Sequence, residues 1–228
     1  RHLKAFKIFR PDEGEQTKIA DFLTSVDKRI EYLTQKKSLL EQYKKGAMQQ
    51  LFSQAIRFKD DDGNDFPDWE ETTIGDVAAF RNGKAHEKVI NENGDYIVVN
   101  SKFVSSEGAV RKYCNNIIEP LRVGDIAMVM SDVPNGRALA KCYLVRENDL
   151  YTLNQRICAL SSKGIYERFL FYRINRNRYF LEFDSGVGQT NLRKDEVLDC
   201  PLKIPTLPEQ KKIADFLTAI DSKIESVA

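Results

Sequence analysis

Four short stretches of the sequence concentrate side chains able to read the edges of base pairs. FRNGKAHEK holds Arg81, Asn82, Lys84 and Lys88; NSK holds Asn100, Ser101 and Lys102; SDVPNGR holds Ser131, Asn135 and Arg137; and GVGQTNLRK holds Gln189, Asn191, Arg193 and Lys194. Arg and Lys donate to guanine O6 and N7, and Asn and Gln offer the paired donor and acceptor that adenine requires. Recognition of a DNA duplex is the chemistry such loops support. The candidate contacts are Arg81, Lys84, Lys102, Asn135, Arg137, Gln189, Asn191 and Arg193. Asn82 and Asn135 each precede a glycine, so turn formation accounts for them as well, and helix capping is an equal account of Thr190 and Asn191. Lys84, Lys102, Arg137 and Gln189 have less structural reason to stand where they do.

Residue patterns for bond-making chemistry are not found in the sequence. Gly186 and Gly188 lack the third glycine and the preceding strand of a nucleotide-binding loop, and His2 and His86 form no HExxH. Cys114, Cys142, Cys158 and Cys200 contain no CxxC pair, so buried free thiols are expected and a zinc site or disulfide framework is not. No catalytic residue, metal or cofactor is expected, and the chain reads as a non-enzyme. The basic, aromatic YERFLFYRINRNRYFLEF, with Arg168, Arg173, Arg176 and Arg178, resembles a stacking platform for single strands. Its alternation of apolar and basic residues fits better a packed helix with a charged rim, from which Arg176 or Arg178 reaches a phosphate.

The loops need a scaffold, and between residues 73 and 203 the pattern is mixed. Asn82-Gly83, Asn93-Gly94 and Asn135-Gly136 punctuate β-rich runs at Tyr96–Val99, Asp125–Met130, Leu139–Val145 and Ile157–Leu160. Gly124-Asp125 before an apolar run reads as a turn entering a buried strand. The expectation is an α+β fold, with long coiled-coil helices flanking one mixed recognition domain.

Those helices announce themselves by repetition. EQTKIADFLTSVDKRIE, Glu15–Glu31, recurs as EQKKIADFLTAIDSKIE, Glu209–Glu225, with 12 of 17 positions identical, and Pro11 and Pro205 each stand four residues before the glutamate. Two copies so far apart bracket a domain instead of forming a solenoid. Ile19, Leu23, Val26, Ile30, Leu33, Leu40, Ala47 and Leu51 follow the four-three spacing of a coiled-coil seam, which reappears as Ile213, Leu217, Ile220, Ile224 and Val227. Lys37 and Lys44 interrupt the first seam, either fixing register or snorkelling to its rim. Only Gly46 weakens the helix between Glu15 and Gln54, which would make a rod of roughly 60 Å.

Residues 57–74 carry two Lys/Arg against seven Asp/Glu, with Gly63, Asn64 and Pro67 among them, the mark of a solvated linker. The expected organisation is a tail of a preceding segment at 1–12, a spacer helix at 13–56, the acidic linker at 57–72, a target-recognition domain at 73–203 and a truncated second helix at 204–228. The formal charge of +1 decides nothing, because a binding face is a local property. Without a signal-peptide pattern or an apolar run of membrane-spanning length, a cytoplasmic setting is expected.

IPTLPEQKKIADFLTAIDSKIE and the helix within FRPDEGEQTKIADFLTSVDKRIEYLTQKKSLLEQYKKGAMQQLFSQ resemble the conserved regions of specificity subunits of type I restriction-modification enzymes. WEETTIGDVAAF, LRVGDIAMVMSD, TLNQRICAL and SGVGQTNLRKDEVLDCPLKIP resemble that family's recognition domains. The resemblance implies a DNA-reading subunit that binds methyltransferase subunits, and in the complete enzyme motor-nuclease restriction subunits. The partner methyltransferase would use S-adenosylmethionine and flip the target adenine. Two conserved helices would act as a ruler between the halves of a bipartite site. The first recognition domain of the family pattern is absent, with His2–Phe9 as its only candidate remnant, so the chain is a natural half-subunit able to dimerise or a fragment of a longer one. A coiled-coil interaction scaffold without DNA reading is the alternative.

Overall fold

The computed structural model describes residues 10–133 and 136–227, so the tail remnant before Arg10 and the Asn135 contact lie outside the described residues. In chain order the elements are α1 (Glu13–Phe52), β1 (Glu70–Thr73), α2 (Ile74–Val77), β2 (Ala78–Asn82), β3 (Tyr96–Val99), α3 (Ser101–Ser105), β4 (Tyr113–Cys114), β5 (Ile126–Val129) and β6 (Ser131–Asp132). They continue as β7 (Cys142–Leu144), β8 (Tyr151–Leu153), β9 (Ile157–Ser162), α4 (Glu167–Ile174), α5 (Arg178–Leu181), β10 (Thr190–Asn191), α6 (Lys194–Leu198), β11 (Pro201–Ile204) and α7 (Leu207–Glu225). The class is α+β. Among the described residues no helix is long and apolar enough to cross a membrane. Two units divide the chain, one of residues 1–55 and 216–228 and one of residues 56–215.

In the first unit α1 is a 40-residue helix. Asp12 caps it by accepting the Glu15 N–H at 2.8 Å, and Glu13 and Glu15 in the first turn complement the helix dipole. The expected seam divides into two parts. Leu33 and Leu40 are half-buried and Ala47 and Leu51 are buried, as are Leu217 and Ile220 of α7, while Ile224 is half-buried. Lys44 pairs with Asp221 at 2.5 Å, which turns one seam lysine into an ionic link between these stretches. Ile19, Leu23, Val26 and Ile30 stay 45, 54, 36 and 57% exposed, so pairing along the whole rod is not seen. A second exposed stripe of Phe22, Tyr32, Leu39 and Tyr43 runs beside the first, about a quarter turn away at 3.5 residues per turn.

The second unit is built on an antiparallel sheet of order β2-β9-β5-β7, with a second sheet of order β4-β3-β8 in which β3 and β8 run parallel. All four residues of β5, Ile-Ala-Met-Val, are buried, which explains why the run is continuous in apolar character and does not alternate. Ile97, Val99, Phe103, Val129, Leu153 and Ile157 belong to the core between the elements. Pairing of β1 with β11 from Glu70–Ile204 to Thr73–Pro201 closes the unit. The acidic stretch before β1 is solvent-exposed yet ordered: the Asp60 carboxylate accepts the N–H of Asn64 and, more weakly, that of Asp62, and these bonds hold its pKa below the usual value. The aromatic, basic segment forms α4 and α5, burying Phe169, Leu170, Tyr172, Ile174 and Phe180.

The repeat is visible in the bonds of its two entry turns. Gln16 Nε2 donates to the Pro11 carbonyl at 2.7 Å, and Gln210 Nε2 donates to that of Pro205 at 2.8 Å. In the second copy Glu209 is fully buried and takes two bonds from the Arg57 guanidinium, at 3.1 and 2.7 Å, and Gln210 Oε1 accepts the Tyr166 N–H.

Candidate nucleic-acid interface

Strand direction brings the candidate loops together. β9 runs antiparallel to both β2 and β5, so the C-terminal ends of β2 and β5 meet the N-terminal end of β9. β8 leads into β9 through Asn154-Gln155-Arg156, and its parallel neighbour β3 ends at the same place. The backbone is sewn across this end: Gly83 N to Ile157 O at 3.0 Å, Gln155 N to Lys84 O at 2.9 Å, Asn154 N to Val99 O at 3.1 Å, Met130 N to Arg156 O at 2.9 Å and Leu192 N to Met130 O at 2.7 Å. The loops that carry Lys84, Lys102, Arg137, Gln189 and Asn191 thus share one end of the sheet.

Glycine is required at one crossing. A Cβ on Gly83 would lie 1.9 Å from the Asn154 carbonyl oxygen, so this glycine serves close backbone approach instead of a hairpin turn. Gly136 does sit in a turn, with its N–H on the Val133 carbonyl, and a Cβ there would meet the Asp132 carboxylate. That carboxylate accepts the N–H groups of Ala138 and Leu139 at 2.6 and 3.1 Å and so folds the loop bearing Arg137, which is itself exposed.

Three candidates are held by carboxylates. Arg81 donates to Glu119 at 2.9 Å, to the Pro120 carbonyl at 2.8 Å and to Asp125 at 2.5 Å. Asp125 is buried and also accepts the Arg122 N–H and the Ser161 hydroxyl. Lys84 lies 3.0 Å from Glu119. Burial raises the pKa of Glu119, yet the hydrogen bonds from Lys84 and Arg81 outweigh it and leave the carboxyl below its ordinary value. Arg193 gives its backbone N–H and its Nε to Glu196 at 2.8 and 2.9 Å, at the start of α6.

The uncharged candidates form a network of their own. Asn191 Oδ1 accepts from the Ser131 hydroxyl at 2.7 Å and from Gln189 Nε2 at 3.1 Å, and Gln189 Nε2 also donates to Ser131 Oγ. Asn191 therefore does not cap a helix. With these bonds made, Gln189 Oε1 remains as an acceptor and Asn191 Nδ2 as a donor. Both residues are exposed. Asn100, by contrast, is a cap, accepting the Phe103 N–H at 2.9 Å to start α3 and leaving Lys102 exposed beside it.

Arg111, Lys112, Asn154, Gln155 and Arg156 stand at this end as well, and a choice of the four polar loops alone does not reach them. Asn154-Gln155-Arg156 carries the same residue types as the other loops. Nothing local marks Arg111 and Lys112. Among the described residues no group of three or more His, Cys, Asp or Glu is placed to hold a metal ion, and all four cysteines are buried and free.

Comparison with known proteins bears on this arrangement. Residues 67–228 match the profile of the family described as the type I restriction modification DNA specificity domain. The chain is 26% identical over 241 aligned positions to the type I restriction enzyme MjaVIII specificity subunit of Methanocaldococcus jannaschii, covering 96% of this chain and 56% of that protein. It is 28% identical over 173 positions to the HindI specificity subunit of Haemophilus influenzae, covering 69% and 36% respectively. Solved structures with the same fold include a type I restriction-modification S subunit from M. genitalium, with TM-score 0.65, 16% identity and coverage of 95% of this chain and 56% of that one. Another is the HsdS subunit from Thermoanaerobacter tengcongensis, with TM-score 0.59, 16% identity and coverage of 92% and 50%. The chain spans about half the length of the M. jannaschii relative it matches.

Proposed function

The chain belongs to the type I restriction modification DNA specificity family, and from that premise we propose that its sheet-end loops read one half of a bipartite DNA site on behalf of partner methyltransferase and restriction subunits. The observation that carries this reading is the convergence of the segments bearing Lys84, Lys102, Arg137, Gln189 and Asn191 at one end of the sheet. The amides of Gln189 and Asn191 present one acceptor and one donor there, the combination that suits an adenine edge. Arg137 supplies charge for phosphate or guanine, and Lys102 charge for phosphate. Arg81 belongs to the scaffold of this reader through Asp125. The chain performs no catalysis itself, and S-adenosylmethionine is bound by the methyltransferase.

The bare apolar part of α1 is the attachment surface in this reading. Covering what remains exposed of Ile19, Leu23, Val26 and Ile30 is worth about 1 kcal/mol each, and the stripe of Phe22, Tyr32, Leu39 and Tyr43 provides a second flank. Coiled-coil pairing along these stripes makes α1 the ruler that sets the gap between half-sites.

The test is methylation of a randomised duplex pool by the natural full-length subunit assembled with its methyltransferase. One bipartite sequence should be recovered, and exchange of residues 75–200 for another family member's should change one half of it. Recovery of no preferred sequence would sink the reading, and an unchanged sequence after the exchange would reduce this domain to an interaction scaffold.

A further inference from the structure

At the same end of the sheet lies an open cleft of about 560 Å³, walled by Lys102, Arg111, Lys112 and Arg156 with Asn154 and Gln155 between them. All four cations are exposed, and among the described residues no Asp or Glu lines the cleft. This sets them apart from Lys84, Arg81 and Arg193, whose charges are met by Glu119, Asp125 and Glu196. Four like charges gathered without a counter-ion repel one another, and a polyanion relieves that repulsion.

The cations come from three separate segments, each fastened through the backbone. Asn100 caps the turn bearing Lys102, Val98 N–H holds the Lys112 carbonyl at 2.8 Å, and Met130 N–H holds that of Arg156 at 2.9 Å. Arg156 keeps a left-handed backbone, with φ of 70°, a conformation costly for a side chain of this kind and retained here by its neighbours. Between the cations Asn154 Oδ1 accepts the Gln155 N–H at 2.9 Å and Gln155 Nε2 donates to Glu87 at 2.6 Å, so each amide has one end engaged. The cleft therefore offers chiefly charge, four cations from three fastened segments against two half-engaged amides.

We propose that this cleft seats the sugar-phosphate backbone of the duplex and supplies a sequence-independent grip, leaving base preference to Gln189 and Asn191. The proposal rests on the duplex-reading function above and divides that function between two sets of side chains. Phosphate contacts release condensed counter-ions, so each one steepens the salt dependence of binding.

The test compares the full-length subunit, assembled with its methyltransferase, with the same assembly carrying Lys102→Gln and Lys112→Gln. Binding is titrated against a duplex of the preferred sequence and a scrambled duplex between 50 and 200 mM salt. At about 0.9 per phosphate, losing both contacts makes the log–log slope shallower by about 1.8, so the affinity lost over that range shrinks by about tenfold. The change should be equal on both duplexes, the methylated sequence should be unaltered, and Lys102→Arg with Lys112→Arg should keep the parent slope. An unchanged slope in the Gln variant overturns the proposal, and so does an altered methylated sequence. If the parent assembly does not distinguish the two duplexes, the reading function fails instead, and the slopes still decide whether the cleft meets phosphate.

Discussion

Thr152 donates its hydroxyl proton to His86 Nε2 across 2.8 Å, because its oxygen already accepts the N–H groups of Ile118 and Glu119, each at 3.1 Å. The ring proton must then sit on Nδ1, where it binds the Lys84 carbonyl at 2.6 Å. Both residues are buried, so the loop bearing Lys84 is anchored to β8 through a neutral imidazole of defined tautomer.

Thr152→Val should cost about 2–3 kcal/mol by leaving the two N–H groups and the imidazole nitrogen unsatisfied, whereas Thr152→Ser, which keeps the hydroxyl, should cost about 1 kcal/mol. Denaturant midpoints measure both. Nitrogen NMR shifts should report His86 protonated at Nδ1, and a proton on Nε2 would contradict the network.

Arg81→Ala should act on stability before it acts on sequence preference. It strands the buried Asp125 carboxylate, and because the Arg81 side chain is one-third exposed the loss should be about 2–3 kcal/mol, below that of a wholly buried pair. Thermal melting shows the loss, and a variant that melts normally while methylating a new sequence would reverse the assignment.

Gln189→Ala and Asn191→Ala should do the opposite. Both side chains are exposed, so melting should shift little, while discrimination at one or two base positions falls by about 1–3 kcal/mol. Competition binding with single-base variants of the preferred duplex reads this directly, and a uniform loss on every duplex would count against it.

Acid should loosen this end of the sheet through Glu119. Burial raises its pKa, but the bonds from Lys84 and Arg81 prevail and hold it below the ordinary 4.5. A depressed carboxylate contributes stability that is present above the unfolded value and is lost as pH falls through the folded one. The parent should therefore lose stability below about pH 4.5 more steeply than Glu119→Gln, as followed by denaturation at stepped pH; equal slopes would show that Glu119 is not the group responsible.

Thiol reagents should find little to attack in the native chain. Burial pushes Cys158 and Cys200 up to about 12, and raises Cys114 and Cys142 as well. Ellman titration should count four thiols only after denaturation, and rapid native labelling would show the interior to be open.

Much of the fold is legible in local sequence patterns. The strands at Tyr96–Val99 and Ile157–Ser162 are apolar runs bounded by turn residues, and α1 is continuous because beyond its first turn only Gly46 interrupts its helix formers. Arg81 shows where such reading stops. By residue type it resembles a base reader, but its partners Glu119 and Asp125 lie 38 and 44 positions away and meet it only through the pairing of β2, β9 and β5. Gly83 looks like a turn residue beside Asn82, and only the approach of Asn154 reveals its other purpose. The exposed half of the α1 seam is equally invisible to periodicity, which reports that a stripe wants cover and not whether cover is present.

The stitching of main chain to main chain across the sheet end, from Gln155 to Lys84 and from Met130 to Arg156, has an evolutionary corollary. None of those links uses a side chain, so outward groups such as Gln189 can be replaced by drift without disturbing the frame that displays them. A lineage could rewrite the letters it recognises one residue at a time while every intermediate stays folded.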